Sequence, residues 1–281
     1  MAVARPVAIV TGAYGGMGRA CARQLGRRLD LALCDLDAGR LAALAETLRE
    51  EGYTVAATVA GDLAEPETAR ALAAAARAAG PLSAVAHTAG VSPALGPWDL
   101  ILRANLVATE HLLLALEDGL EEGLAMVMLA SMAGHSAAKD AGLDEILAAP
   151  LAPDMLQQAA PRLDAMTTPT DAYGRAQPAY AQSKRAVIRT CERRAPAWGA
   201  KGARLVTISP GLIWTPMGRK EADSNPAAAR LAAETPVGRW GTPLDIADAV
   251  DFLTSERAGF ISGCDLRVDG AVTPALRGVA F

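Results

Sequence analysis

The stretch Thr11-Gly12-Ala13-Tyr14-Gly15-Gly16-Met17-Gly18 lies between a short apolar run, Val7–Val10, and a helix pattern that begins at Arg19. Glycine lets a backbone turn tightly and approach a ligand with no side chain in the way. The helix N-terminus that follows offers unpaired N–H groups and partial positive charge, which suit a pyrophosphate. Met17, Cys21 and Leu25 recur at helical spacing, so this helix is expected to pack on a sheet through that face. A glycine cluster alone fits any strand-turn-helix. Its weight comes from Asp35, at the end of the next strand-like run and 17 residues after Gly18, near the ~20 expected of a ribose-binding carboxylate. A carboxylate there accepts from both ribose hydroxyls and repels a 2′-phosphate, favouring NAD over NADP. The alternative is a helix cap, because a helix opens at Asp37-Ala38. Asp62, in Gly61-Asp62-Leu63 after the third run, is likewise placed to bond an adenine amino group or to cap the next helix.

Outward from this turn, short apolar runs alternate with longer alanine- and leucine-rich stretches. The runs are Val7–Val10, Leu31–Cys34, Thr54–Ala60, Ala84–Ala86, Ala125–Leu129, Leu205–Ile208 and Leu266–Val268. Helical patterns cover Arg19–Arg27, Ala38–Glu51, Glu67–Ala79 and Ile101–Leu116. Continuously apolar strands separated by helices predict an α/β fold with a parallel sheet covered on both faces. Right-handed crossovers make it a doubly wound sheet of about seven strands. One excursion breaks the rhythm: residues 137–177 carry two short helix patterns, Leu143–Ala148 and Pro153–Ala160, and a turn-rich tail at Thr167–Thr170. Its apolar set, Leu143, Ile146, Leu147, Leu151, Met155 and Leu156, needs a partner surface, either over a substrate cleft or in a subunit interface.

Composition narrows the class of function. A net charge of -4 gives no basic excess for nucleic acid, and half the residues are hydrophobic, which excludes a disordered chain. No apolar stretch approaches the ~20 residues that span a bilayer, and no cleavable signal is read at the N-terminus. Cys21, Cys34, Cys191 and Cys264 are far apart and read as reduced core residues. His87, His111 and His135 lack zinc spacing, so no metal site is expected. These features point to a cytoplasmic protein that acts on small molecules.

In Tyr180-Ala181-Gln182-Ser183-Lys184 the tyrosine and lysine are four residues apart, on one face of a helix. A lysine charge beside a phenol favours the phenolate, tuning it toward acid–base work at neutral pH. Ser131 closes the fifth strand-like run, at the strand end where open α/β sheets bind ligands. With Ser209-Pro210-Gly211, these motifs resemble the short-chain dehydrogenase/reductase family through nearly the whole chain. The resemblance implies a single-domain Rossmann fold, a homodimer or homotetramer, and hydride transfer between NAD(P) and an alcohol or ketone. It implies a catalytic set of Asn105, Ser131, Tyr180 and Lys184. Ser131 polarises the substrate oxygen, and Asn105 holds a water in a proton relay to Lys184. The implied cofactor contacts are Gly12, Gly16, Met17, Gly18, Asp35, Asp62, Leu63, Ala89, Gly90, Tyr180, Lys184, Pro210, Gly211, Ile213 and Thr215. Residues 212–234, with Trp214, Met217 and an alanine-rich stretch at Pro226–Ala233, correspond to a substrate lid and suggest an apolar, steroid-like alcohol or ketone.

The sequence departs from the family in three places. His87-Thr88-Ala89-Gly90 stands where Asn-Asn-Ala-Gly is usual, and His87 is read as a satisfied core histidine. Asp269-Gly270-Ala271 replaces Asp-Gly-Gly. Ser131 and Tyr180 are 49 residues apart instead of about a dozen. Such insertions resemble the subgroup of 3α-hydroxysteroid dehydrogenase/carbonyl reductase, where the insert lies beside the active site and changes subunit pairing. The alternative function is a non-catalytic NAD-sensing regulator on the same fold.

Overall fold

The computed structural model describes residues 5–168, 173–224, 230–231 and 235–276. Each strand-like run of the sequence is a strand: β1 (Val7–Thr11), β2 (Asp30–Asp35), β3 (Val55–Ala60), β4 (Leu82–His87), β5 (Ala125–Leu129), β6 (Arg204–Pro210) and β7 (Asp265–Val268). All pair in parallel, in the order β3-β2-β1-β4-β5-β6-β7. The chain winds outward from β1 to β3, then returns to place β4 on the other side of β1. Thr11 and His87 are register partners at that reversal, so a crevice opens beyond the strand ends there.

Alternate residues of the inner strands feed two cores. Val7, Ile9, Met126 and Met128 face one layer, with α3 (Pro66–Ala79), α5 (Ala108–Glu117) and α9 (Ala176–Gly199). Ala8, Val10, Val127 and Leu129 face the other, with α1 (Gly16–Gly26), α2 (Ala38–Glu50) and α11 (Pro243–Leu253). Burial on both faces holds for the inner strands only. β3 alternates between half-buried and exposed after Val55, and Leu266 and Arg267 of β7 are exposed, because edge strands lack cover on one side. Cys264, beside β7, is exposed for the same reason, which corrects its reading as a core residue.

Between α3 and α5 the chain passes through β4, α4 (Trp98–Leu102) and a π-helical turn at Arg103–Val107 that contains Asn105. After β5 comes α6 (Met132–Ser136), and the excursion then forms α7 (Ala141–Leu147) and α8 (Met155–Met166). Its second helix passes through Pro161 instead of ending before it. Met155, Ala159 and Leu163 lie at helical spacing and are buried to 3% exposure or less. Burying Met155 and Leu163 contributes about 1.5–3 kcal/mol each, which together offsets the ~3 kcal/mol that a proline inside a helix costs. Leu143 and Leu147 are buried in the same core as α9. The apolar face of the excursion is therefore covered mainly by its own chain, while Leu151 stays 41% exposed.

Polar contacts fix the excursion to α9. Asp144 accepts from Arg185 Nε and Nη2 at 3.0 Å each and pairs with Arg189 at 3.3 Å. Gln182 Nε2 donates to the Ala138 carbonyl at 2.7 Å. Two further helices, α10 (Pro216–Ser224) and α12 (Val272–Leu276), complete the described structure. Of the alanine-rich stretch 226–233, only Arg230 and Leu231 are among the described residues, and the tail at Thr167–Thr170 is described only through Thr168.

Candidate active site

A cavity of about 700 Å³ opens beyond the ends of β1, β2 and β4. Gly12, Gly16, Met17, Gly18, Asp35, Asp62, Leu63, Ala89, Gly90 and Thr215 line it. Gly12 has φ +59, and a Cβ there would lie 2.8 Å from the Ala89 nitrogen, so the turn accepts no side chain. The N-cap of α1, Gly15, makes no side-chain hydrogen bond, and the first-turn residues Gly16, Met17 and Gly18 line the cavity. This uncapped helix start, shaped by glycine and next to a carboxylate, fits the phosphates and ribose of a dinucleotide.

Asp35 is not a helix cap. That position belongs to Asp37, whose Oδ1 accepts from Arg40 N at 2.9 Å. Asp35 Oδ2 accepts from Tyr14 N at 2.9 Å and Oδ1 from Leu36 N at 2.8 Å, which fixes the carboxylate on the cavity wall. Asp62 does not cap α3 either. Its Oδ1 accepts from Ala64 N at 2.8 Å, and the N-cap of α3 is Glu65.

Gly90 connects the cavity to the other residues singled out. A Cβ on it would lie 3.0 Å from Asn105 Oδ1 and 3.3 Å from Lys184 Nζ. Asn105 Oδ1 accepts from Val91 N at 2.8 Å, and its Nδ2 donates to Val91 O at 3.1 Å and Ser183 Oγ at 3.0 Å. The asparagine thus clamps the loop after β4 to α9. Lys184 is buried, its Nζ 5.8 Å from the centre of the Tyr180 ring. Nζ donates to the Leu129 carbonyl at 2.8 Å, and burial pushes the ammonium down to about 8. Ser131, two residues beyond Leu129, caps α6 by accepting from Ala133 N at 3.2 Å. Helix α6 packs directly on α9, with Gly134 against the backbone of Lys184 and Arg185. Lys184 joins the helix of Tyr180 to the strand end two residues before Ser131.

Five of the cofactor contacts assigned from the resemblance are not in the lining of the main cavity: Tyr180, Lys184, Pro210, Gly211 and Ile213. Gly211 and Ile213 line a separate cavity of about 190 Å³ with Val237 and Asp269. Pro210, the last residue of β6, is in neither lining. Met217 borders the main cavity, whereas Trp214 is half exposed and stacks edge-on against Trp240, centroids 5.1 Å apart. The sequence reading missed Tyr14, Arg19, Arg40 and Lys220, which also line the main cavity. Only Tyr14, inside the glycine motif, carried a sequence signal.

His87 is a satisfied core residue. Thr109 Oγ1 donates to the Asn105 carbonyl at 2.8 Å, so it must accept from His87 Nε2, also 2.8 Å away. Nδ1 then accepts from Thr11 Oγ1 at 2.7 Å. Burial, together with the nearby Lys184 charge, pushes the imidazole down to about 3, so it is neutral.

Known proteins resemble this chain over nearly its whole length. A profile described as short chain dehydrogenase matches residues 6–141, and one described as Enoyl-(Acyl carrier protein) reductase matches residues 155–273. D-threitol dehydrogenase of Mycolicibacterium smegmatis is 31% identical, with 95% of this chain and 92% of that protein aligned. 3-alpha-hydroxysteroid dehydrogenase/carbonyl reductase of Comamonas testosteroni is 34% identical over only 37% of this chain and 40% of its own length. A 3-oxoacyl-[acyl-carrier protein] reductase from Brucella melitensis with bound NAD superposes with a TM-score of 0.69 at 25% identity, covering 96% of this chain and 91% of that one. The chain belongs to the short-chain dehydrogenase/reductase family, whose members are oxidoreductases that use nicotinamide cofactors.

Proposed function

We propose that this protein is an NAD-dependent oxidoreductase that interconverts a hydrophobic secondary alcohol and its ketone. The observation that carries the reading is the buried ammonium of Lys184, set against the Tyr180 ring beside a glycine-walled cavity. In the oxidative direction Tyr180 takes the hydroxyl proton, Ser131 donates a hydrogen bond to the substrate oxygen, and Lys184 stabilises the phenolate. In the reductive direction Tyr180 returns the proton to the carbonyl oxygen. A nicotinamide dinucleotide in the cavity would supply the two-electron partner, a hydride passing between it and the carbinol carbon. Asp35 would hold the adenosine ribose, Asp62 the adenine, and Gly12 to Gly18 the pyrophosphate. Asn105 acts by holding the loop after β4 and the helix of Lys184 together.

The cavity wall near this end includes Val91, Leu95 and Met217, which supports an apolar substrate, hydroxysteroids among the candidates. We further propose that residues 212–234 act as a substrate lid. The excursion resembles that of the 3α-hydroxysteroid dehydrogenase/carbonyl reductase subgroup. On the resemblance alone, the reading extends to a cytoplasmic homodimer or homotetramer.

The test follows NADH formation with NAD and secondary alcohols from small aliphatics to hydroxysteroids. Alditols are included because of the threitol-dehydrogenase relative. NADP and the Tyr180→Phe variant are the controls. Tyrosine-dependent turnover on a bulky apolar alcohol with NAD supports the reading. Turnover confined to alditols would overturn the substrate class, and full turnover by the phenylalanine variant would overturn the chemistry.

A further inference from the structure

Two polar atoms, Ser92 Oγ and Gln177 Oε1, are buried with no hydrogen-bond partner among the described residues. Folded proteins pair nearly all such atoms, so each needs a reason. Their places supply one. Gln177 is in the first turn of α9, three residues before Tyr180 and on the same face of the helix. Ser92 is 1% exposed and lies between Val91 and Leu95, which both line the main cavity. The 3-10 turn that follows it, Pro93–Leu95, packs against α9 and α10. Asn105 holds the backbone of Val91 on one side and donates to Ser183 Oγ on the other. Ser183 Oγ in turn donates to the Tyr180 carbonyl at 2.8 Å. The segment of Ser92 is therefore fixed to the turn of α9 that carries the tyrosine, and the two orphaned atoms flank it.

A substrate with one hydroxyl uses it on Tyr180 and Ser131 and leaves Ser92 and Gln177 unpaired behind it. A serine hydroxyl both donates and accepts, and an amide carries one group of each kind, so together they suit a further hydroxyl, which also does both. Residues three apart on a helix have Cβ atoms about 5–6 Å apart, so a group held by Gln177 sits close to the oxygen held by Tyr180. We propose that Gln177 and Ser92 are specificity-determining residues that bind a second hydroxyl of the substrate, on the carbon next to the one oxidised or reduced. The substrate class is then an apolar vicinal diol and the matching α-hydroxy ketone. This deepens the alcohol–ketone reading of the site and rests on it.

The experiment uses propiophenone and 2-hydroxypropiophenone, which differ only by a hydroxyl beside the carbonyl. Turnover of each is followed with NADH. Binding of each is measured by calorimetry on the full chain saturated with NAD, where no hydride can reach the ketone. NADPH and NADP are run in parallel. Wild type is expected to favour the hydroxy ketone by roughly tenfold to a hundredfold in kcat/KM and in Kd, the range for pairing a buried polar group. A neighbouring hydroxyl also makes a carbonyl more reactive, so the deciding quantity is how the ratio between the two ketones changes across variants. Gln177→Met and Ser92→Ala should each cut that ratio by roughly fivefold or more, and Ser92→Thr, which keeps the hydroxyl, should retain it. The replaced atoms have no partner in the fold, so melting temperatures should stay level or rise. A fall in melting temperature with an unchanged ratio would assign both residues a structural role and overturn the inference. Equal treatment of the two ketones by wild type overturns it as well, and leaves the oxidoreductase reading intact. Hydroxy ketone that binds in a Gln177-dependent way but is never reduced overturns the reaction and keeps the site. If neither ketone binds or turns over, the inference falls.

Discussion

Lys184 Nζ lies 5.8 Å from the centre of the Tyr180 ring and donates at 2.8 Å to the carbonyl of Leu129, the last residue of β5. One ammonium thus ties the helix carrying the tyrosine to the strand that leads to Ser131. Replacing Tyr180 with phenylalanine removes a hydroxyl without disturbing this tie. Turnover is expected to fall by about 10²–10⁴-fold, with NADH affinity, read by fluorescence titration, changed only a few-fold. A comparable loss of NADH affinity would show that Tyr180 mainly supports the cofactor.

The same ammonium is costly to the fold. Burial holds its proton affinity at about 8, against 10.5 for a free lysine. A lowered lysine value means that the unfolded chain binds more protons between pH 8 and 10.5, so wild type gains stability as pH rises through that window. Lys184→Met carries no such charge. Its stability advantage over wild type should shrink by up to ~1.4 kcal/mol per pH unit across the window, while its turnover is lost at every pH. Urea unfolding at pH 7.5, 8.5 and 9.5 measures the difference, and parallel curves for the two proteins would contradict it.

At the acid end the relevant group is His87. Its folded value of about 3 lies below the free value of 6.5, so the unfolded chain takes up the proton first. Wild type should lose stability as pH falls from 6.5 toward 3, at up to ~1.4 kcal/mol per pH unit from this residue. His87→Asn removes that contribution, and its denaturation midpoint should fall less steeply between pH 6.5 and 4. A steeper fall in the variant would count against a neutral buried imidazole.

Ala271 takes φ +68, a conformation that side chains rarely adopt, and its N–H donates to Asp269 Oδ1 at 3.0 Å. Ala271→Gly relieves the clash at the expense of greater freedom in the unfolded chain. The net expectation is a gain of about 0.5–1 kcal/mol, visible as a higher melting temperature with turnover preserved. No gain would mean that the turn relaxes around alanine without strain.

Much of this was readable in the residues, for identifiable reasons. Strand runs such as Ala125–Leu129 are short, apolar and bounded by turns, so their period shows without tertiary knowledge. Tyr180 and Lys184 share a helix face because four residues make about one turn. Asp35 needed the structure to separate it from its neighbour: two aspartates two residues apart look alike until the hydrogen bonds assign the cap to Asp37. Arg19 and Arg40 could not be read at all, since they meet only on the Tyr14 ring across two helices. Pro161 misled in the usual direction, because local propensity weighs less than the burial of Met155, Ala159 and Leu163.

The Asp144 carboxylate, with two arginines of α9 on it, bears on how this chain could change over time. A shorter connection between β5 and α9 is not reached by trimming the excursion. Deletion would strip Arg185 and Arg189 of their counter-charge, uncouple Gln182 from Ala138 and open the core under Leu143, Leu147 and Leu163, on the helix that carries Tyr180 and Lys184. Variation in substrate choice therefore has its freer ground elsewhere, around Thr215 to Lys220, where the cavity wall can be rewritten without unseating that helix.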